Sequence, residues 1–491
     1  MSGRSFLGLL GCGLVLFGLT AIGLFAQRQD NLDLFVVIAL AQGGVYLLAL
    51  GLIRPANASH RALAVILGVA VAMRIVVMLA PPFLSSDVYR YIWDGRVLAS
   101  GINPYRYIPG DPHLENLRDP DIFPLINRSN YAHSIYPPAA QAIFFAATWV
   151  SQSVTAMRWA MVVFEAIAVA LLLRLLVLSG LPVARIAVYA WHPLPVWEFA
   201  GSGHIDAAIV AFLALALWSR RRFGEHSAPQ LATTSSVIPG LGPGIHERPL
   251  VDGRAEPGHD RQREHWMAGL ALAGAVLVKL YPLVLFPALW RPLGRPLGRP
   301  LGRRWEWRMP AAFAAAVALA YLPFLGVGWG VFGFLPGYLV EEGFTAGGGG
   351  FYLWSAARAV LPLGRVPDIA YIAVVGLMLA GLSVYVAFGR SGAPAGAALL
   401  AGCFMLVLSP HYPWYFAWLI VFACLVPGAA LLWLTLASFL LYLVPVGSQL
   451  VWDRHRFFVE SALYVPFLLL AAVDLWRRRH REQPRHGEHT D

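Results

Sequence analysis

Apolar stretches of about twenty residues recur from one end of this chain to the other, and each is long enough to cross a bilayer as a helix. Within hydrocarbon a backbone has no water to bond, so such stretches must coil into helices or close into a barrel. The alternating ten-residue segments of a barrel are missing. Apolar residues make up 58% of 491, charged residues 13%, and the mean hydropathy is +0.61. A water-soluble surface cannot carry that composition. The expected fold is an all-α polytopic membrane protein, a bundle of about 12 to 14 transmembrane helices with a long first external loop.

The charge of +10 does not point to nucleic acid, because the arginines sit in short connections and in Arg477-Arg478-Arg479-His480-Arg481, as cytoplasmic flanks do. Cys12, Cys403 and Cys424 lie in apolar stretches without metal or disulfide spacing and read as packing residues. The apolar run Phe6 to Ala26 exceeds the core of a signal peptide and predicts an uncleaved first helix.

Spans read at about 5–26, 33–53, 62–80, 156–178, 186–200, 206–219, 308–326, 367–388, 394–409, 413–426, 429–446 and 458–476. Residues 266–290 read as two short helices broken near Lys279-Leu280-Tyr281-Pro282, and 139–151 as a juxtamembrane or re-entrant helix. Placing basic connections inside leaves 81–138 and 327–366 outside and both termini in the cytoplasm. The organisation expected is a hairpin at 1–61, a core at 62–219 with its loop at 81–138, a disordered insert at 220–265, a bundle at 266–476 and a basic tail at 477–491. Arg-Pro-Leu-Gly repeats three times between Arg291 and Gly302, again inside.

Asp87 stands just past the third span in Ser85-Ser86-Asp87-Val88-Tyr89-Arg90-Tyr91. A carboxylate at a water boundary keeps its proton chemistry while meeting a lipid-borne substrate, which fits a general base; the alternative is a helix cap. Asp94, seven residues on, shares its face if the segment is helical, or else pairs with Arg90 or Arg96. Lys279, the only lysine, sits in an apolar stretch and suits a lipid phosphate, or else it snorkels. His204 and Asp206 fall at a span end, where they could bind acceptor or metal, serve as a second acid, or cap the next helix. His411 and Tyr412, in His411-Tyr412-Pro413-Trp414-Tyr415, offer sugar contacts or an interfacial belt. Walker, His-Glu-x-x-His and Gly-x-Ser-x-Gly motifs do not occur.

With Gly101-Ile102-Asn103-Pro104-Tyr105, Tyr136-Pro137-Pro138, Ser202-Gly203-His204-Ile205-Asp206-Ala207 and Lys279-Leu280-Tyr281-Pro282, these motifs resemble the GT-C superfamily of membrane glycosyltransferases. The resemblance is to the bacterial polyprenol-phosphate-mannose-dependent branch. It implies a GT-C-like bundle in the bacterial inner membrane that moves a hexose, mannose above others, from a polyprenyl phosphate to a hydroxyl of a lipid or glycan acceptor outside the cytoplasm. Inversion would use Asp87 as base, with Tyr89, Arg90, Asp94, Tyr105, His204, Asp206, Lys279, His411 and Tyr412 as substrate contacts. Many relatives pair two acids in the first loop, whereas Asp87 lies between Ser86 and Val88, so no metal or other cofactor is expected. The rival from another class is a transporter or lipid flippase, with Lys279, His204 and Asp206 along a polar path, though no inverted repeat supports it.

Overall fold

The computed structural model describes residues 3–53, 60–224, 257–290, 306–343, 350–363, 366–389, 392–444 and 454–482. Among these residues all regular structure is helical. The amino-terminal part comprises α1 (Gly3–Arg28), α2 (Leu32–Leu52), α3 (His60–Met78), α4 (Asp87–Ala99), α5 (Pro138–Val150), α6 (Val154–Leu178), α7 (Asp206–Gly224) and α8 (Pro257–Val278). Seven segments are long and apolar enough to cross a membrane: those in α1, α2, α3 and α6, and Arg308–Glu341, Asp368–Phe388 and Arg454–Arg478. Shorter apolar helices stand at Ala393–Leu408, Pro413–Leu425 and Ala430–Leu443, where the sequence predicts spans, and at Pro138–Val150, where it predicts a short helix. Only 11% of the Asp368–Phe388 segment is buried, and Leu377 stands 75% exposed. A face that apolar is stable against lipid and not against water.

Several polar side chains inside the bundle are paired across helices. Arg74 of α3 bonds both carboxylate oxygens of Glu165 on α6, at 2.7 and 3.1 Å, and donates to the carbonyls of Ala70 and Ala190. Gln42 of α2 donates to Thr20 of α1 and accepts from the Trp197 indole at 2.7 Å. Such bonds hold helices together where lipid supplies no hydrophobic drive between them. Gly23 lets the Trp197 ring in, since a β-carbon there would stand 2.6 Å from it.

The structure departs from the expected spans where proline removes backbone donors. Residues 186–200 do not form one crossing helix: around Pro193 and Pro195 the chain makes short buried turns that end in a π-helical turn at Val196–Gly201. The helix expected at 308–326 runs on instead, through a 3₁₀ stretch kinked at Gly328, to Glu341. In the expected hairpin the first arm is the long α8, which ends at Val278, and a 3₁₀ turn follows at Tyr281–Leu285. Helix α7 extends to Gly224 and α8 begins at Pro257, so both ends of the expected insert are helical; residues 225–256 lie outside the described residues, as do the Arg-Pro-Leu-Gly repeats and most of the basic tail. Cys12 and Cys424 are buried and Cys403 partly so.

Between α3 and α5 the chain is ordered and has a small core of its own, made by Trp93, Val97, Leu114 and Ile126. Arg96 ties α4 to the loop through Asp119 and the Leu117 carbonyl. Gly333 docks the second loop on the first. Its φ of +52° suits glycine, and any β-carbon would meet the Ser134 carbonyl.

Candidate active site

Asp87 is the first residue of α4, where the unbonded amides and the helix dipole favour a carboxylate. Its partners are neutral. Asn127 Nδ2 donates to one oxygen at 2.9 Å and the Tyr136 hydroxyl to the other at 3.3 Å. Burial and the charge of Asp87 push the Tyr136 pKa well above its ordinary value, so that phenol keeps its proton and donates. Among the described residues Asp87 enters no ion pair. It faces a cavity of about 930 Å³ bounded by the segments 82–90 and 125–137, the break after α8, the turn 334–342 and the stretch 404–415.

Of the side chains that the sequence singles out, Asp87, Tyr89, Arg90, Lys279, His411 and Tyr412 line this cavity. Lys279 comes to the wall because α8 stops one residue before it. Its Nζ bonds Asp206 Oδ2 at 2.6 Å and lies 4.9 Å from the Tyr415 ring centre, while the Tyr281 hydroxyl holds Asp206 Oδ1 at 2.8 Å. Asp206 is fully buried, at the first position of α7. His411 Nδ1 stands 2.7 Å from Glu342 Oε2, and its Nε2 stands 2.6 Å from Arg456. The Tyr412 ring stacks on Trp414 at 4.5 Å.

Asp94, Tyr105, His204 and Asp206 lie behind the wall and are absent from the lining. Asp94 takes the pairing its spacing allows with Arg90, at 2.8 Å, and also accepts from Ser134 and Gln141. Arg90 reaches Ala132 as well, so the pair clasps the end of the loop to α4. The Tyr105 hydroxyl donates to the Tyr136 carbonyl at 2.6 Å, which fixes the residue that in turn holds Asp87. His204 stacks on the inner face of Trp414 at 4.3 Å, and its Nε2 stands 3.4 Å from Glu198. Among the described residues no group of three or more His, Cys, Asp or Glu is placed to hold a metal ion.

Residues 5–291 match the model of the MptA/B family, described as the alpha-(1->6)-mannopyranosyltransferase N-terminal domain. The chain belongs to that family. No curated protein and no solved structure gives a match. MptA/B proteins are GT-C polyprenol-phosphate-mannose-dependent mannosyltransferases, so the chain is a membrane enzyme of the polyprenol-phosphate-sugar-dependent hexosyltransferase class and not a carrier. Of the candidate residues in this MptA/B chain, Asp87 through Lys279 fall inside the matched region, and His411 and Tyr412 fall beyond it.

Sequence reasoning passed over several side chains that shape the cavity of this mannosyltransferase. Asn127, Arg128, Tyr281, Tyr338 and Glu341 line it or bind those that do. Arg128 Nε donates to Glu341 Oε2 at 2.7 Å across 213 residues of chain, and the Tyr131 hydroxyl bonds the other oxygen of Glu341. Burial opposes the charge on Arg128, but its bond to Glu341 and the field of that carboxylate outweigh burial and raise its pKa. The signal available in sequence was an arginine among turn formers, Asn127-Arg128-Ser129-Asn130, with no acid beside it.

Proposed function

We propose that this MptA/B enzyme transfers a mannosyl group from a polyprenyl-phosphate donor to a hydroxyl of a lipid or glycan acceptor, on the extracytoplasmic side of the bacterial inner membrane, with both termini in the cytoplasm. Asp87 is the base. As the acceptor oxygen bonds to the anomeric carbon, Asp87 takes the hydroxyl proton. The bond from that carbon to the phosphate oxygen breaks, its electron pair leaves with polyprenyl phosphate, and attack from the opposite face inverts the centre.

One observation carries this reading: Asp87 faces the cavity and is held by an amide and a phenol, with no cation bound to it. A carboxylate locked in an ion pair would resist protonation, whereas one held by neutral donors can accept a proton. Lys279 lines the same cavity and can neutralise the departing phosphate while Asp206 holds its ammonium in place, since an ammonium has three donors. Tyr89, His411 and Tyr412 are the further substrate contacts, and Arg90, Asp94, Tyr105, His204 and Asp206 act through the residues they hold. Apolar Phe83, Leu84, Leu335, Phe404 and Leu408 on the wall suit an isoprenoid chain.

The test is mannose transfer from synthetic polyprenyl-phosphate mannose by the purified enzyme. Asp87→Asn keeps the shape and one acceptor oxygen but cannot take a proton, and transfer should fall about 10²- to 10⁴-fold. Undiminished transfer would remove Asp87 from the reaction.

A further inference from the structure

Among the described residues three arginine or lysine side chains line the cavity, and all three are paired: Arg90 with Asp94, Lys279 with Asp206 and Arg128 with Glu341. They differ in what an arriving anion would have to displace. The side chains of Asp94 and Asp206 are 2% and 0% exposed, so neither can leave its cation without becoming a buried, unpaired charge. Glu341 is 30% exposed and Arg128 29%. A carboxylate so placed can swing into water at small cost, and Tyr131 already offers Glu341 a second bond.

Arg128 is also presented for binding. Glu341 takes only its Nε and Tyr131 meets it as well, which still leaves protons on the guanidinium to donate to an anion. The Tyr338 ring lies 5.9 Å from the guanidinium carbon. Its backbone takes a φ of +54°, a conformation that a non-glycine residue keeps only where the surroundings require it, as at ligand clamps. The preceding residue, Asn127, is the one that holds Asp87. A single turn therefore fixes the base and carries the cation, and both line the cavity where a sugar joined to its phosphate would sit.

We infer that Arg128 anchors the donor's phosphate and that Glu341 occupies its guanidinium until the donor displaces it. The inference rests on the lipid-phosphate donor proposed above and adds an exchange of partners to it. Arginine's planar fork takes two phosphate oxygens at once, which the single Nε bond to Glu341 does not.

The exchange gives the two halves of one ion pair opposite effects. Binding of polyprenyl phosphate without sugar is measured on the full chain in nanodiscs. Arg128→Gln should weaken binding about tenfold or more, the worth of a charged hydrogen bond. Glu341→Gln removes the competitor and should tighten binding about two- to fivefold, the worth of a half-exposed ion pair. A bridge that merely ties the two loops together predicts the same sign for both, and that result overturns the exchange. If Arg128→Gln does not fold, Glu341→Gln decides alone, with unchanged or weaker binding counting against it. Wild-type protein that fails to bind polyprenyl phosphate would sink the donor reading itself; wild-type binding without the tightening in Glu341→Gln would sink only the role of Arg128.

Discussion

Lys279 illustrates how far one residue can be read from its own surroundings. A lone lysine in an apolar stretch announces function, and its place on the cavity wall agrees with that, yet its partner Asp206 lies 73 residues away and no local pattern predicts the bond. The pair makes a clear prediction. Lys279→Met strands a fully buried carboxylate and should cost about 3 to 5 kcal/mol of stability, whereas Lys279→Met with Asp206→Asn should regain most of it. Thermal unfolding in detergent reads both. If mannose transfer returned along with stability in the double variant, Lys279 would be a structural residue and not a phosphate contact. Asp94 shows the complementary case: the i,i+4 spacing to Arg90 was legible, but the bonds from Ser134 and Gln141 that turn the pair into a loop clasp were not.

Between elements, proline and glycine decide most of what hydropathy misplaces. The sum of apolar residues over 186–200 reads as a span, but Pro193 and Pro195 interrupt the amide ladder, and the segment packs as buried turns. The same physics was legible at Lys279-Leu280-Tyr281-Pro282, where the break was expected and α8 does end. Gly333 joins the two loops that carry Asp87 and Glu341. Gly333→Ala should cost about 1 to 3 kcal/mol from the backbone conformation alone, with the clash against the Ser134 carbonyl added to it. The expected outcome is faster proteolysis within the loops and slower transfer, with the far helices unaffected. Hydrogen exchange that shows no loosening at residues 128–137 would contradict this docking role.

For the molecule as a whole, the proposed orientation follows from the arginines and requires the ordered segment between α3 and α5 to face away from the cytoplasm. His113 sits on that segment with its side chain 68% exposed. A cysteine introduced by His113→Cys should react with a membrane-impermeant maleimide in intact spheroplasts, against the parent chain as control. Reaction only after permeabilisation would invert the topology and move Asp87 to the side where nucleotide sugars are found. The cavity joins residues from 82 to 415, so no single span owns it.

The amino-acid sequence by itself determined the class of fold, the residence in a membrane, the break at Lys279 and the prominence of Asp87, because hydropathy, backbone donors and the cost of charge in hydrocarbon act locally along the chain. Only the tertiary structure decided which polar groups meet. Burial favours a partner for each of them, but the partner is set by how helices pack: Asn127 and Tyr136 come to Asp87 from 40 and 49 residues away, and Glu341 to Arg128 from 213. Separations of that size leave no periodic trace in sequence, and they decide that Asp87 meets an amide and a phenol while Arg128 meets a carboxylate.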